Sequence, residues 1–130
     1  MARSAGVYRL EHVPTGRFYV GSSVNLERRR RRWFDRLREL SALKDVGDWR
    51  GRRLPPFLLS TAAESRPEDW RFCVVEAFDG RPRIVMRRAE AVLVERGLRE
   101  EPDCCMNGEW FLITGPRSGK LARRQKRPMG

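Results

Sequence analysis

The stretch GVYRLEHVPTGRFYVGSSVNLERRRRRWF, residues 6 to 34, decides how the chain reads. Its two tyrosine-bearing runs, GVYRL and RFYVG, alternate in polarity and favour β-branched and aromatic residues, which suits strands half-buried in a sheet. Between them HVPTG carries Pro14 and Gly16, residues that preset or permit turn geometry, so the two runs form a β-hairpin. Asn25 then stands where a helix N-cap is wanted, with Glu27 in the first turn. Apolar positions Leu26, Trp33, Phe34, Leu37 and Leu40 follow at helical spacing, so a helix is predicted from about Asn25 to Leu40.

Further along, KDVGDWRGRRLPP is rich in turn residues, FLLSTAA makes a short helix, and WRFCVVEAF alternates as a third strand. IVMRRAEAVLVERGL, residues 84 to 98, reads as a second long helix. After CCMN, the run EWFLI is a brief strand or an apolar clasp. One domain is expected over 1 to 114, since 130 residues suit one core better than two. Residues 115 to 130 hold six basic residues and no acidic one, which predicts a disordered polyanion-binding arm that includes Arg123, Arg124, Lys126 and Arg127.

With a net charge of +11, the chain repels itself unless a polyanion is near, which makes nucleic acid the expected partner: DNA first, RNA as the alternative. A membrane is not expected, because the sequence has no long apolar run and no basic amphipathic helix with a bulky apolar face. The first ten residues lack the apolar stretch of a signal peptide, and three cysteines, Cys73, Cys104 and Cys105, suit reduced thiols, so a cytoplasmic setting is expected, nucleoid-associated if cellular. With His12 as the single histidine, ligands for structural zinc are too few. A monomer is expected.

The arginine run is not uniform. Steps of 100° from Leu26 place Arg29 and Arg30 beside the apolar stripe, with Arg30 slightly preferred, while Arg28, Arg31 and Arg32 point outward as phosphate contacts. On the later helix Glu95 falls among Arg87, Arg88 and Arg99, an ordinary solvated face. Glu90 falls between Met86, Leu93 and Val94, where a carboxylate needs a partner, a proton or a metal ion. A buried salt bridge is the structural alternative to a functional role there.

Taken in order, GVY at 6 to 8, YVG at 19 to 21, NLERR at 25 to 29, Glu90 and Asn107 resemble the GIY-YIG nuclease family. That resemblance implies an α/β fold of the α+β kind, with a small three-stranded antiparallel sheet flanked by helices. It also implies a DNA endonuclease that hydrolyses phosphodiesters with one divalent cation, Mg2+ or Mn2+. By the same resemblance Glu90 would hold the metal, Arg29 would clamp the phosphate, and Tyr8 or Tyr19 would orient or deprotonate water. Asn107 would fix the catalytic site by hydrogen bonding, and Gly6 and Gly21 would permit close backbone approach.

Two departures stand out. Trp33 occupies the place, four residues after Arg29, where many members have histidine, and Ser22 follows YVG where some have lysine. The alternative function is a basic nucleic-acid-binding module that keeps the fold without the reaction, and a pure binder has no use for Glu90 near phosphate. A basic adaptor for an acidic protein explains the arm and leaves the tyrosines unexplained.

Overall fold

Alternation in the first two runs and helical periodicity after them are realised in a computed structural model that describes residues 4–108. Strands β1 (Gly6–His12) and β2 (Arg17–Ser23) form the predicted hairpin, paired antiparallel from His12 opposite Arg17 to Gly6 opposite Ser23. Gly16 closes the turn with φ of 76°, a left-handed conformation that glycine adopts freely, and its N–H donates to the His12 carbonyl at 2.9 Å. Helix α1 (Leu26–Ala42) follows, and Asn25 caps it as expected, its side-chain oxygen accepting from the Arg28 N–H at 3.1 Å.

A loop with two short 3-10 turns, Val46–Asp48 and Pro67–Asp69, flanks α2 (Pro56–Ala63). Strand β3 (Trp70–Ala77) pairs with the other side of β1, giving the order β2-β1-β3, and helix α3 (Arg83–Glu100) completes the described fold. Both long helices run one or two residues beyond their predicted ends, the usual fraying uncertainty of helix termini. The predicted EWFLI segment and the basic arm, with the domain boundary between them, lie outside the described residues.

Period-2 alternation sends the hairpin's residues to two cores. Tyr8 and Leu10 face α1 and α2, packing with Trp33, Leu37, Leu40, Leu58 and Trp70. Val7, Phe18 and Val20 face α3, packing with Met86, Val94 and Cys105. The hairpin is therefore packed on both faces, not half-buried as its alternation suggested, whereas β3 is largely exposed beyond Trp70. Pairing of β1 with β3 shifts between Val7 and Tyr8: Val7 lies opposite Glu76 and Tyr8 opposite Val74, so Val75 is an extra residue on β3. This bulge increases local twist beside Tyr8, whose ring stacks on Phe72 with centroids 4.6 Å apart.

Among the described residues no helix is long and apolar enough to cross a membrane. Cys73, Cys104 and Cys105 are all free thiols.

Candidate active site

Register explains the glycine of YVG. Gly21 lies directly opposite Tyr8, and the Tyr8 ring leans across β2 so closely that a Cβ at Gly21 would sit 2.6 Å from the ring carbon bearing the hydroxyl. Gly6 is equally constrained, since a Cβ there would stand 2.5 Å from the Glu76 carbonyl oxygen and 3.1 Å from Leu26. Neither glycine has a positive φ, so both serve close approach and not turn geometry. Gly21→Ala is expected to push Tyr8 off its place and to destabilise the fold by about 1–3 kcal/mol, as read by urea denaturation; an unchanged midpoint would refute the packing argument.

Tyr8 and Tyr19 share one face of the hairpin, at diagonal positions two residues apart in register. Tyr8 is buried, and its oxygen accepts a hydrogen bond from the Trp33 indole N–H at 2.8 Å. Indole nitrogen can only donate, so the Tyr8 hydroxyl proton is directed elsewhere. The Trp33 ring also meets Tyr19, with centroids 5.3 Å apart and tilted by 58°. Burial raises both phenol pKa values; for Tyr8 the Arg29 charge and the Trp33 and Arg29 hydrogen bonds oppose that rise, whereas Tyr8 and Glu90 add to it for Tyr19.

The structure separates the two arginines that helical projection could not. Arg29 is half-buried and reaches Tyr8, while Arg30 is exposed and ion-pairs with Glu27 at 2.5 Å, one turn back. The slight geometric preference for Arg30 is thus corrected: its acidic neighbour draws it along the helix surface. Arg28, Arg31 and Arg32 are exposed as expected. Arg36, which sequence reasoning passed over, stacks its guanidinium over Trp33 at 5.1 Å from the ring centroid. Its signal was available, since it stands seven residues after Arg29 and three after Trp33 on one helical face.

Glu90 is half-buried on α3, with Met86 and Val94 buried in the same helix. Burial raises its pKa above the ordinary 4.5, against the lowering effect of a hydrogen bond from Ser22 and of the Arg87 and Arg29 charges. The Ser22 hydroxyl donates to its Oε1 at 2.5 Å, which makes Ser22 a holder of the acid and not merely a missing lysine. Among the described residues Glu90 makes no salt bridge, so the structural alternative of an ion pair does not account for it. Glu95, by contrast, is exposed and pairs with Arg99 at 3.5 Å.

Asn107 is buried and both ends of its amide are engaged: Oδ1 accepts from the Val20 N–H and Nδ2 donates to the Val20 carbonyl, each at 3.0 Å. The preceding residues continue the same edge, with Phe18 N–H donating to Cys104 and Met106 N–H to Phe18. The CCMN segment therefore covers the outer edge of β2 as far as Val20, just before Gly21 and Ser22. Asn107 therefore ties this segment to the β2 edge through Val20. Asn107→Ala would leave two buried backbone groups unpaired and is expected to cost about 2–4 kcal/mol, measured by chemical denaturation. A loss below half a kilocalorie per mole, roughly the surface-mutation range, would contradict it.

A hard cation fits this donor set. Among the described residues no group of three or more His, Cys, Asp or Glu side chains is placed to hold a metal, so an all-protein cage is not what the fold offers. A half-buried carboxylate that forms no salt bridge among the described residues matches the way magnesium is usually held, by one or two carboxylates with waters and substrate phosphate.

No family profile matches the sequence. No curated protein matches it either. Among solved structures, the chain is similar to a mutant form of the catalytic domain of intron endonuclease I-TevI, with 13% identity, a TM-score of 0.56, and coverage of 82% of this chain and 87% of that one. Identity that low speaks to architecture alone, and the architecture agrees with what the tyrosine-glycine hairpin, its covering helices and the three-stranded antiparallel sheet show: this chain has the GIY-YIG nuclease-domain fold.

Proposed function

We propose that the protein is a metal-dependent DNA endonuclease that hydrolyses phosphodiester bonds at the site formed by Tyr8, Tyr19, Arg29 and Glu90. The observation that carries this reading is Glu90, an acid held half-buried by Ser22 and without an ion-pair partner among the described residues, on a chain of charge +11. A protein that only bound phosphate backbone would gain from removing that charge.

Hydrolysis needs a positioned water, neutralisation of charge growing on the phosphoryl oxygens, and relief for the departing oxygen. Glu90, oriented by Ser22, would hold a single Mg2+ or Mn2+, which supplies Lewis-acid stabilisation of the phosphate and lowers the pKa of water. Arg29 presents a fork of donors to the phosphate oxygens. Tyr8 orients the attacking water: its oxygen receives the Trp33 N–H and lies by Arg29, so the phenol is held in one rotamer with its proton free to bond elsewhere. Because burial raises both phenols, neither is an anion at neutral pH in the free protein, and proton removal follows assembly of the charged site. Trp33 thereby positions Tyr8 through a neutral donor and takes no part in moving a proton.

The direct experiment is incubation of the full chain with plasmid, branched DNA and RNA, each with magnesium and with chelator. Magnesium-dependent nicking or cutting of DNA is expected. Salt-sensitive binding without any cleavage would leave the non-catalytic binding module standing instead. Tyr8→Phe is expected to lower kcat about 100-fold, within the range for lost general-base assistance, and Tyr19→Phe by less than tenfold. The reverse order would assign the water to Tyr19.

A further inference from the structure

Three arginines gather around the tyrosines, Arg29, Arg36 and Arg52, and only Arg29 has a role in the reaction proposed above. Arg29 and Arg36 stand seven residues apart on the side of α1 that carries Trp33, while Arg32 between them is exposed. Arg52 approaches from the loop between α1 and α2, close enough for its charge to act on both Arg36 and Tyr19. That loop is pinned, because Trp49 packs against the core of the α1 face and its indole N–H donates to the Arg52 carbonyl at 2.8 Å.

Among the described residues no acid forms an ion pair with these cations. Of the three acidic residues on α1, Glu27 pairs with Arg30 and Asp35 with Arg38, while Glu39 makes no ion pair; among the described residues Arg29, Arg32, Arg36 and Arg52 make none either. Arg36 is half-buried, and burial together with the charges of Arg52, Arg29 and Arg32 holds its pKa below the usual guanidinium value. Like charges brought together at a partly desolvated place are retained at a cost unless an anion meets them. The contact of the Arg36 guanidinium with the Trp33 ring limits its rotation, and a guanidinium fork can bond two oxygens of one phosphate.

We propose that Arg36, stacked on Trp33, and Arg52 form a second phosphate clamp, which holds a backbone phosphate flanking the one at Arg29. The spacing suits a nucleic-acid strand: seven residues separate Arg29 from Arg36, about 10 Å along the helix axis, and both side chains lie on the face that meets the tyrosines. This inference rests on the nuclease reading and extends it, since a substrate anchored at two phosphates presents its scissile bond in one direction past Glu90 and Tyr8. It also gives the aromatic at position 33 two tasks, the Tyr8 hydrogen bond on one side and the Arg36 stack on its ring face. Arg36 and Arg52 are binding and positioning residues and do not touch the reacting atoms.

The test measures Kd for a short DNA duplex against salt, in chelator so that no cleavage is needed, for the full chain and for Arg36→Gln, Arg52→Gln and Arg36→Lys. Loss of one phosphate contact reduces the slope of log affinity against log salt by about 0.9. Arg36→Gln and Arg52→Gln are each expected to lose that increment and to bind about tenfold more weakly. Arg36→Lys should keep the slope while losing part of the affinity, because it keeps the charge and loses the stacked fork. With magnesium, the Arg36→Gln defect should fall on KM about tenfold and on kcat less than threefold. Unchanged slopes in both glutamine variants overturn the clamp even if the wild type cleaves. Reduced slopes in a chain that never cleaves support the clamp and remove the nuclease reading, so the two failures are distinct.

Discussion

Glu90→Gln is expected to abolish magnesium-dependent cleavage, by at least about 1,000-fold, the scale on which loss of charge stabilisation at a transferring phosphoryl group is measured, while DNA affinity stays equal or becomes tighter. Glutamine preserves the length and accepts the same Ser22 hydroxyl bond, so the change removes the charge and little else. Tighter binding follows because a negative charge near phosphate disappears. The Glu95→Gln protein should remain active, since Glu95 is exposed and engaged with Arg99. An inactive Glu95 variant beside an active Glu90 variant would reverse the assignment.

The same substitution has a second readout in metal-free protein. Burial raises the Glu90 pKa in the folded state above its ordinary 4.5, so the folded protein holds that proton more tightly than the unfolded chain does. The stability this contributes is present below 4.5 and is lost as pH rises from 4.5 through the folded value. Glu90→Gln escapes that loss, so its stability advantage over wild type should grow with pH across this interval and then level off. A difference that does not change with pH would mean that the carboxyl ionises equally easily in both states.

Much of this arrangement is legible in the residues themselves, for identifiable reasons. The hairpin and α1 follow from a change of apolar period from 2 to 3.6 with Asn25 at the junction, and Glu90 stands out because one carboxylate interrupts an apolar flank. What periodicity cannot supply is the partner of a side chain. Ser22 meets Glu90 across 68 positions and Asn107 meets Val20 across 87, and no local pattern announces either pairing. Trp33 reads as part of the apolar stripe, which it is, but its N–H finds Tyr8 only once α1 lies over the sheet. The bulge opposite Val7 and Tyr8 is equally silent, since an extra residue on β3 changes register without changing composition. Arg29 and Arg30 project to opposite margins of the same stripe, and what separates them is a short-range ion pair to Glu27 on one side and the Tyr8 hydroxyl on the other.

Separation of those arginines gives the other large expected effect. At saturating DNA in a single turnover, affinity no longer limits the rate, so only groups acting in the chemical step remain visible. Arg29→Ala is expected to slow that step by about 100- to 1,000-fold, the range found when one preorganised donor to a developing oxyanion is removed. Arg31→Ala and Arg32→Ala, whose side chains are exposed, should leave the saturated rate within about threefold and instead weaken binding, each reducing the salt slope by about 0.9. Arg30→Ala supplies the strictest comparison, because helical projection alone favoured it over Arg29. Its guanidinium is committed to Glu27 on the outer surface of α1, and its removal should resemble that of Arg31. Lysine at position 29 refines the test: a point charge without the fork should recover part of the affinity and little of the rate if bidentate contact to the phosphoryl oxygens is what Arg29 contributes. Equal rate loss in the alanine variants of Arg29, Arg30, Arg31 and Arg32 would show that the run acts as an undifferentiated cationic surface, and the half-buried position of Arg29 beside Tyr8 would then have no catalytic meaning.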